Sequence, residues 1–128
     1  MSIAVIDYGS GNLKSATKAL ESAANNINIS SKVVVTSDPK IIKQSDKIVL
    51  PGQGSFRDCY LGIKNIQGLN ETLNEFVLVK KKPIFGICVG MQLFASTGYE
   101  SQETKGFGWI DAKVRKINNL NKKIKLPH

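Results

Sequence analysis

A chain of 128 residues, 41% hydrophobic and 22% charged, has the material for one core and reads as a single soluble domain. Eighteen lysines and arginines against ten acids leave a net charge of +8. The lysines are scattered apart from Lys80-Lys81-Lys82 and the stretch 122–125, with no aromatics between them, so a solvated surface or a docking face for an acidic partner is favoured over nucleic acid.

The first residues hold neither a basic leader nor a long apolar run. That argues against a signal peptide or membrane span and for a cytoplasmic chain. Residues 2–6 are expected to form a strand, 7–12 a glycine turn, and 13–24 a helix with Leu13, Ala16, Ala19, Leu20 and Ala23 along one side. Strand, glycine turn and helix in that order open a parallel α/β sheet. Gly9-Ser10-Gly11 lacks the third glycine of a dinucleotide loop and the Gly-Lys-Ser/Thr of a triphosphate loop. Asp7 is either a catalytic acid or the cap of its own turn, and the cap is the simpler reading.

A second strand is expected at 32–35, then a short helix opened by Asp38 as N-cap and Pro39 in its first turn. A third strand at 46–50 runs into Pro51-Gly52-Gln53-Gly54. That turn lies at the carboxyl end of a parallel strand, where open α/β sheets hold ligands, and its glycines leave peptide N–H groups unshielded. Helices follow at 55–66 and 69–79, the latter turning Leu73, Phe76 and Val77 inward. Cys59 falls in the first of them, has no glycine neighbours and reads as packing.

The informative stretch comes next. Residues 83–87 are apolar enough for a buried strand, and 90–97 read as a helix with Met91, Phe94 and Ala95 on one face. Cys88 stands at the joint, between Gly86 and Gly90. A strand-to-helix elbow strains its middle residue and demands small neighbours on either side, so the spacing suits an exposed nucleophile. The bland alternative is a buried structural cysteine. A helix N-terminus beneath the sulfur favours thiolate, and such a thiolate attacks carbonyl carbon while the Val89 N–H faces the developing oxyanion. Gly52 and its neighbours are candidates for the second donor. Gln92, one helical turn on from Cys88, either contacts a polar substrate or is simply exposed. Residues 98–108 read as a loop, 109–117 as a strand, 118–121 as a turn and 122–126 as its hairpin partner.

Gly86-Ile87-Cys88-Val89-Gly90-Met91-Gln92 resembles the nucleophile motif of class I glutamine amidotransferases, and Pro51-Gly52-Gln53-Gly54-Ser55-Phe56 resembles their oxyanion strand. Within that family, Asp7-Tyr8-Gly9-Ser10-Gly11-Asn12-Leu13, Gly106-Phe107-Gly108-Trp109-Ile110 and Pro127-His128 are similar to glutaminase subunits of histidine biosynthesis. The resemblance implies an open, mostly parallel α/β sheet with helices on both faces, of flavodoxin or Rossmann type. It also implies one amidotransferase domain over 1–128 that lacks its C-terminal strands.

By the same resemblance, Cys88 attacks the side-chain amide of glutamine. Backbone N–H groups of Gly52 and Val89 hold the oxyanion, Gln92 and Gly54 contact the substrate, and Gly9, Gly11 and Asn12 lie near the site mouth and the partner. That partner is a (β/α)8-barrel cyclase subunit, forming a heterodimer and joining the ammonia to a phosphoribulosyl precursor. No cofactor or metal is implied.

Two departures are visible. Gln53 stands where the family more often has valine, a change expected to modify function rather than abolish it. The family's general base is a His with a Glu two residues on, in a segment downstream of residue 128. His128 sits in a different, structural context and is not assigned as the base. The chain is therefore expected to carry the nucleophile without its base, to expose a sheet edge, and to be unstable or to associate when isolated. Two alternatives stand beside this reading. One is another cysteine-elbow hydrolase or chaperone-like protein, and the other is a non-catalytic relic that still docks on the barrel.

Overall fold

A computed structural model describes residues 1–118 together with Lys123 and Lys125. The turn expected at 118–121 and the strand at 122–126 lie largely outside the described residues, and so does His128.

Strand β1 (Ser2–Ile6) leads into helix α1 (Leu13–Asn26), then β2 (Lys32–Thr36), α2 (Pro39–Gln44) and β3 (Lys47–Leu50). Helix α3 (Phe56–Lys64) follows, and then α4 (Leu69–Asn74), which continues as a π-helical turn (Glu75–Val79). The Lys80 N–H closes that turn on the Glu75 carbonyl at 2.9 Å. Next come β4 (Ile84–Gly86), α5 (Val89–Gln92), β5 (Ala95–Tyr99), β6 (Glu103–Lys105) and β7 (Ile110–Val114).

Strands β1 to β4 form one parallel sheet in the order β2-β1-β3-β4. Alternation along β1 and β3 feeds two cores. Ala4, Ile6, Ile48 and Leu50 face α2, α3 and α4 through Ile42, Phe56, Cys59, Ile63, Leu69 and Leu73. Ile3, Val5 and Val49 face the other way, onto Leu13 and Leu20 of α1. Helices therefore cover both faces, as expected of the α/β class.

Three helices begin where their caps dictate. Asn12 accepts from the Ser15 N–H, Asp38 from Lys40 and Ser55 from Asp58. A cap contributes about 1 kcal/mol, whereas burying one Leu or Ile contributes roughly 2 kcal/mol. Burial thus decides which face of each helix turns inward, and the caps decide where it starts.

Four expectations are corrected. The helix expected at 90–97 lasts one turn: to reach residue 97 it would need the Leu93 carbonyl, and that carbonyl and the next three are bonded to residues 106–110 instead. Phe107 N–H donates to Leu93 O at 2.8 Å, Ile110 to Phe94 O at 3.0 Å, Gly108 to Ala95 O at 3.1 Å and Gly106 to Ser96 O at 2.9 Å. Those bonds turn 95–99 into the middle strand of a second sheet, β6-β5-β7, with β6 antiparallel and β7 parallel to β5. The loop expected at 98–108 consequently contains β6, and the strand expected at 109–117 shortens to β7. Finally, the apolar run around Ile84 is an edge strand rather than a buried one, with Phe85 62% exposed.

Candidate active site

Three loops meet at the carboxyl ends of β1, β3 and β4. Each owes its close approach to a glycine. A Cβ on Gly90 would fall on the Leu50 carbonyl, so the first turn of α5 rests directly on the end of β3. A Cβ on Gly52 would come within 2.5 Å of the Gly90 nitrogen and 3.1 Å of the Val89 carbonyl carbon. One on Gly11 would stand 2.8 Å from Pro51 Cβ and 3.2 Å from Gly52 N. Side chains at these positions would hold the loops apart.

Cys88 sits at φ 56°, ψ −122°, a conformation that L-residues rarely adopt, and its side chain is exposed. Gly86 on one side permits it: a Cβ there would lie 2.5 Å from Met91 Cα. The Cys88 carbonyl accepts from Met91 at 3.1 Å and from Gln92 at 3.2 Å, which locks the elbow. Among the described residues the Cys88 sulfur has no hydrogen-bond partner, and the Val89 and Gly52 N–H groups donate to no acceptor. Because α5 has four residues, the dipole beneath the sulfur is that of a single turn rather than of the longer helix expected.

Gln92 closes α5 one turn from Cys88 and is partly buried. Gly54 is exposed at φ 97° with open space around it. Gly9, also at positive φ, lies in the β1–α1 turn, whose Asp7 accepts from the Gly9 N–H at 3.2 Å. The cap reading of Asp7 holds. Gly11 touches the 51–54 turn, while Asn12 uses its side chain for the α1 cap.

The second cysteine is 1% exposed, as a packing residue should be. Its thiol nevertheless reaches the 51–54 turn, donating to Gln53 O at 3.3 Å and lying 3.4 Å from Ser10 Oγ. Ser10 Oγ also donates to Gln53 O at 2.7 Å and accepts from Gln53 N at 2.9 Å. Tyr8 donates its hydroxyl to Pro51 O at 2.5 Å. Burial, with Cys59 alongside, holds the Tyr8 phenol well above its ordinary pKa of 10.0, so it remains a donor.

Sequence reasoning passed over Tyr8 and Ser10. A signal for Tyr8 existed: Ala4, Ile6 and Tyr8 continue one inward face at period two, and a buried tyrosine needs a partner for its hydroxyl. Nothing local to the sequence marks Ser10, because its partner is 43 residues away.

A strained, exposed thiol beside two unpaired peptide N–H groups can attack a carbonyl carbon and hold the resulting oxyanion. Comparison with known proteins agrees with that chemistry. The family model described as glutamine amidotransferase class-I matches residues 4–126, and the chain belongs to that family. It is 54% identical over 129 residues to the imidazole glycerol phosphate synthase subunit HisH of Pelagibacter ubique, across 100% of this chain and 60% of that protein. It is 52% identical to the subunit of the same name from Bradyrhizobium diazoefficiens and 48% identical to that of Rhodopseudomonas palustris, covering all of this chain and 59% of each relative. The chain thus spans about three-fifths of the length of these relatives.

Proposed function

We propose that this chain carries the nucleophilic half of a glutaminase that supplies ammonia to an imidazole glycerol phosphate synthase in histidine biosynthesis. The Cys88 thiolate adds to the side-chain amide carbon of glutamine. The oxyanion is received by the N–H groups of Val89 and Gly52. The C–N bond breaks as nitrogen takes up a proton, ammonia departs, and water releases glutamate from the Cys88 thioester. Gln92, one turn beyond the first donor, and Gly54, two residues beyond the second, would contact the bound glutamine.

The family resemblance assigns the proton transfers to a His-x-Glu pair in a downstream segment. The ammonia would pass to a (β/α)8-barrel cyclase subunit yielding imidazole glycerol phosphate and aminoimidazole carboxamide ribotide, with Gly9, Gly11 and Asn12 near that interface. The observation that carries the reading is Cys88 itself, exposed at φ 56° between glycines that cannot be replaced without collision.

Its test is labelling with a diazo-ketone analogue of glutamine, followed by peptide mapping. Cys88 should be modified and Cys59 spared; equal modification of both would remove the special status of the elbow. A second reading, docking without turnover, is favoured by the absence of a hydrogen-bond partner for the Cys88 sulfur among the described residues. Titration against the cyclase separates them: binding with glutamate release supports the first, and binding alone supports the second.

A further inference from the structure

We propose that the end of the parallel sheet remote from Cys88 is a docking surface, fitted to a protein partner with an acidic patch. It goes beyond the glutaminase reading and stands independently of it. Lysines that are scattered in the sequence are gathered there by the strand register. Strands β1 to β4 run parallel, so their amino ends meet at one pole while the candidate site lies at the carboxyl ends. Ser2 pairs with Lys32 and Ile3 with Lys47, and the Ile48 N–H bonds to Pro83 O at 3.1 Å, next to Lys82. Neighbouring strands lie about 4.8 Å apart, so these cations cross the pole as one row.

The loops that enter those strands add to the row. Lys82 Nζ donates to Ser45 O at 2.9 Å and brings the segment after the π-helical turn against the end of α2. The Met1 ammonium donates to Ser30 O at 3.2 Å. Segments 1–2, 27–32, 43–47 and 75–83 thus bring together six lysines and that ammonium against two acids, Asp46 and Glu75. Both acids are engaged, Asp46 by the N–H and hydroxyl of Ser2 and Glu75 by Lys43 at 3.8 Å. Among the described residues, Lys32, Lys47, Lys80 and Lys81 have no carboxylate within ion-pair distance. Lys81 also holds φ 52°, a conformation that suits glycine better, so a charged side chain stands there in spite of strain.

An acidic protein surface fits this pole better than nucleic acid does. Leu78 and Val79, 56% and 69% exposed, adjoin Lys80 and Lys81 and supply the apolar centre with a charged rim that protein interfaces use. The aromatic residue of these segments, Phe76, is 2% exposed and offers no ring on which a base could stack.

The probe is a synthetic peptide of glutamates around a central Leu-Phe pair, with poly-uridine as the nucleic-acid comparison. Lysine acetylation is followed residue by residue by mass spectrometry. The peptide should slow Lys32, Lys47, Lys80 and Lys81 about fivefold and leave Lys14 and Lys18, exposed on α1, unchanged. In fluorescence anisotropy, Lys80→Glu with Lys81→Glu should weaken binding about tenfold. Lys14→Glu with Lys18→Glu, an equal change in net charge, should weaken it less than about twofold. Circular dichroism checks that each variant is folded, and Lys80→Gln with Lys81→Gln should give an intermediate loss. Equal losses from the two glutamate pairs, or slowing at every lysine, would reduce the pole to net charge alone and overturn the proposal. Stronger protection of the same lysines by poly-uridine would overturn it too, in favour of nucleic acid.

Discussion

At Cys88 the backbone is held at φ 56° and ψ −122°, where a Cβ collides with neighbouring peptide atoms at a cost of about 1–3 kcal/mol. Cys88→Gly should relieve that strain. We expect denaturant unfolding to shift toward greater stability by about 1 kcal/mol, while labelling by the diazo-ketone disappears. A loss of stability instead would mean that the thiol packs against the fold more than its exposure shows. Tyr8 provides a second test at this scale, through pH. Its folded pKa is raised above the unfolded 10.0, so unfolding releases a proton at alkaline pH. The associated stability is fully present below about pH 10 and declines as pH rises beyond it. Wild type should therefore lose stability relative to Tyr8→Phe above pH 10, measured as paired urea midpoints. Cys88 was legible in the sequence because its neighbours, Gly86 and Gly90, are local. The Tyr8 bond to Pro51 was not, because it joins residues 43 apart.

Among the elements, the contact between α5 and β3 has the least tolerance. A Cβ on Gly90 would overlap the Leu50 carbonyl, and backbone cannot step aside as a flexible side chain can. Gly90→Ala should cost several kcal/mol, roughly 3 or more, and circular dichroism should show loss of cooperative unfolding. An ordinary melt would place α5 farther from β3 than described here. At the start of β1, the Asp46 carboxylate accepts from the Ser2 N–H at 2.8 Å and from its hydroxyl at 3.2 Å, which lowers its pKa from the ordinary 3.8. A lowered pKa contributes stability above pH 3.8 that is lost as pH falls below it. Asp46→Asn should flatten that acid limb by lowering stability at neutral pH, while the two proteins converge at the acid end where Asp46 is protonated. Caps and strand alternation made β1, α1, β2, α2 and β3 readable from sequence. The helix expected at 90–97 failed because carbonyls 93–96 find partners at 106–110, and tertiary bonds of that kind override local periodicity.

For the molecule as a whole, the parallel sheet ends on β4 among the described residues, and there β4 pairs with β3 on one side. Phe85 on that strand is 62% exposed, and Met91 and Ile110 are each 54% exposed. An edge strand with a bare aromatic invites pairing with another chain. The purified chain should therefore elute at a concentration-dependent size, and Phe85→Lys should move it toward monomer in sedimentation. A monomer at every concentration would show that the edge is already protected. No helix among the described residues is long and apolar enough to cross a membrane.

Local order is what the residues determined unaided: alternating apolar runs, capping side chains and a cysteine framed by glycines are interactions within a few positions, and they specify strands, helix starts and an elbow. The convergence of three loops, the capture of carbonyls 93–96 by a second sheet, and the clasp of Tyr8 and Ser10 on the 51–54 turn were decided only in the tertiary structure. Each joins residues distant in the chain, whose meeting depends on how the sheet packs rather than on any neighbouring residue.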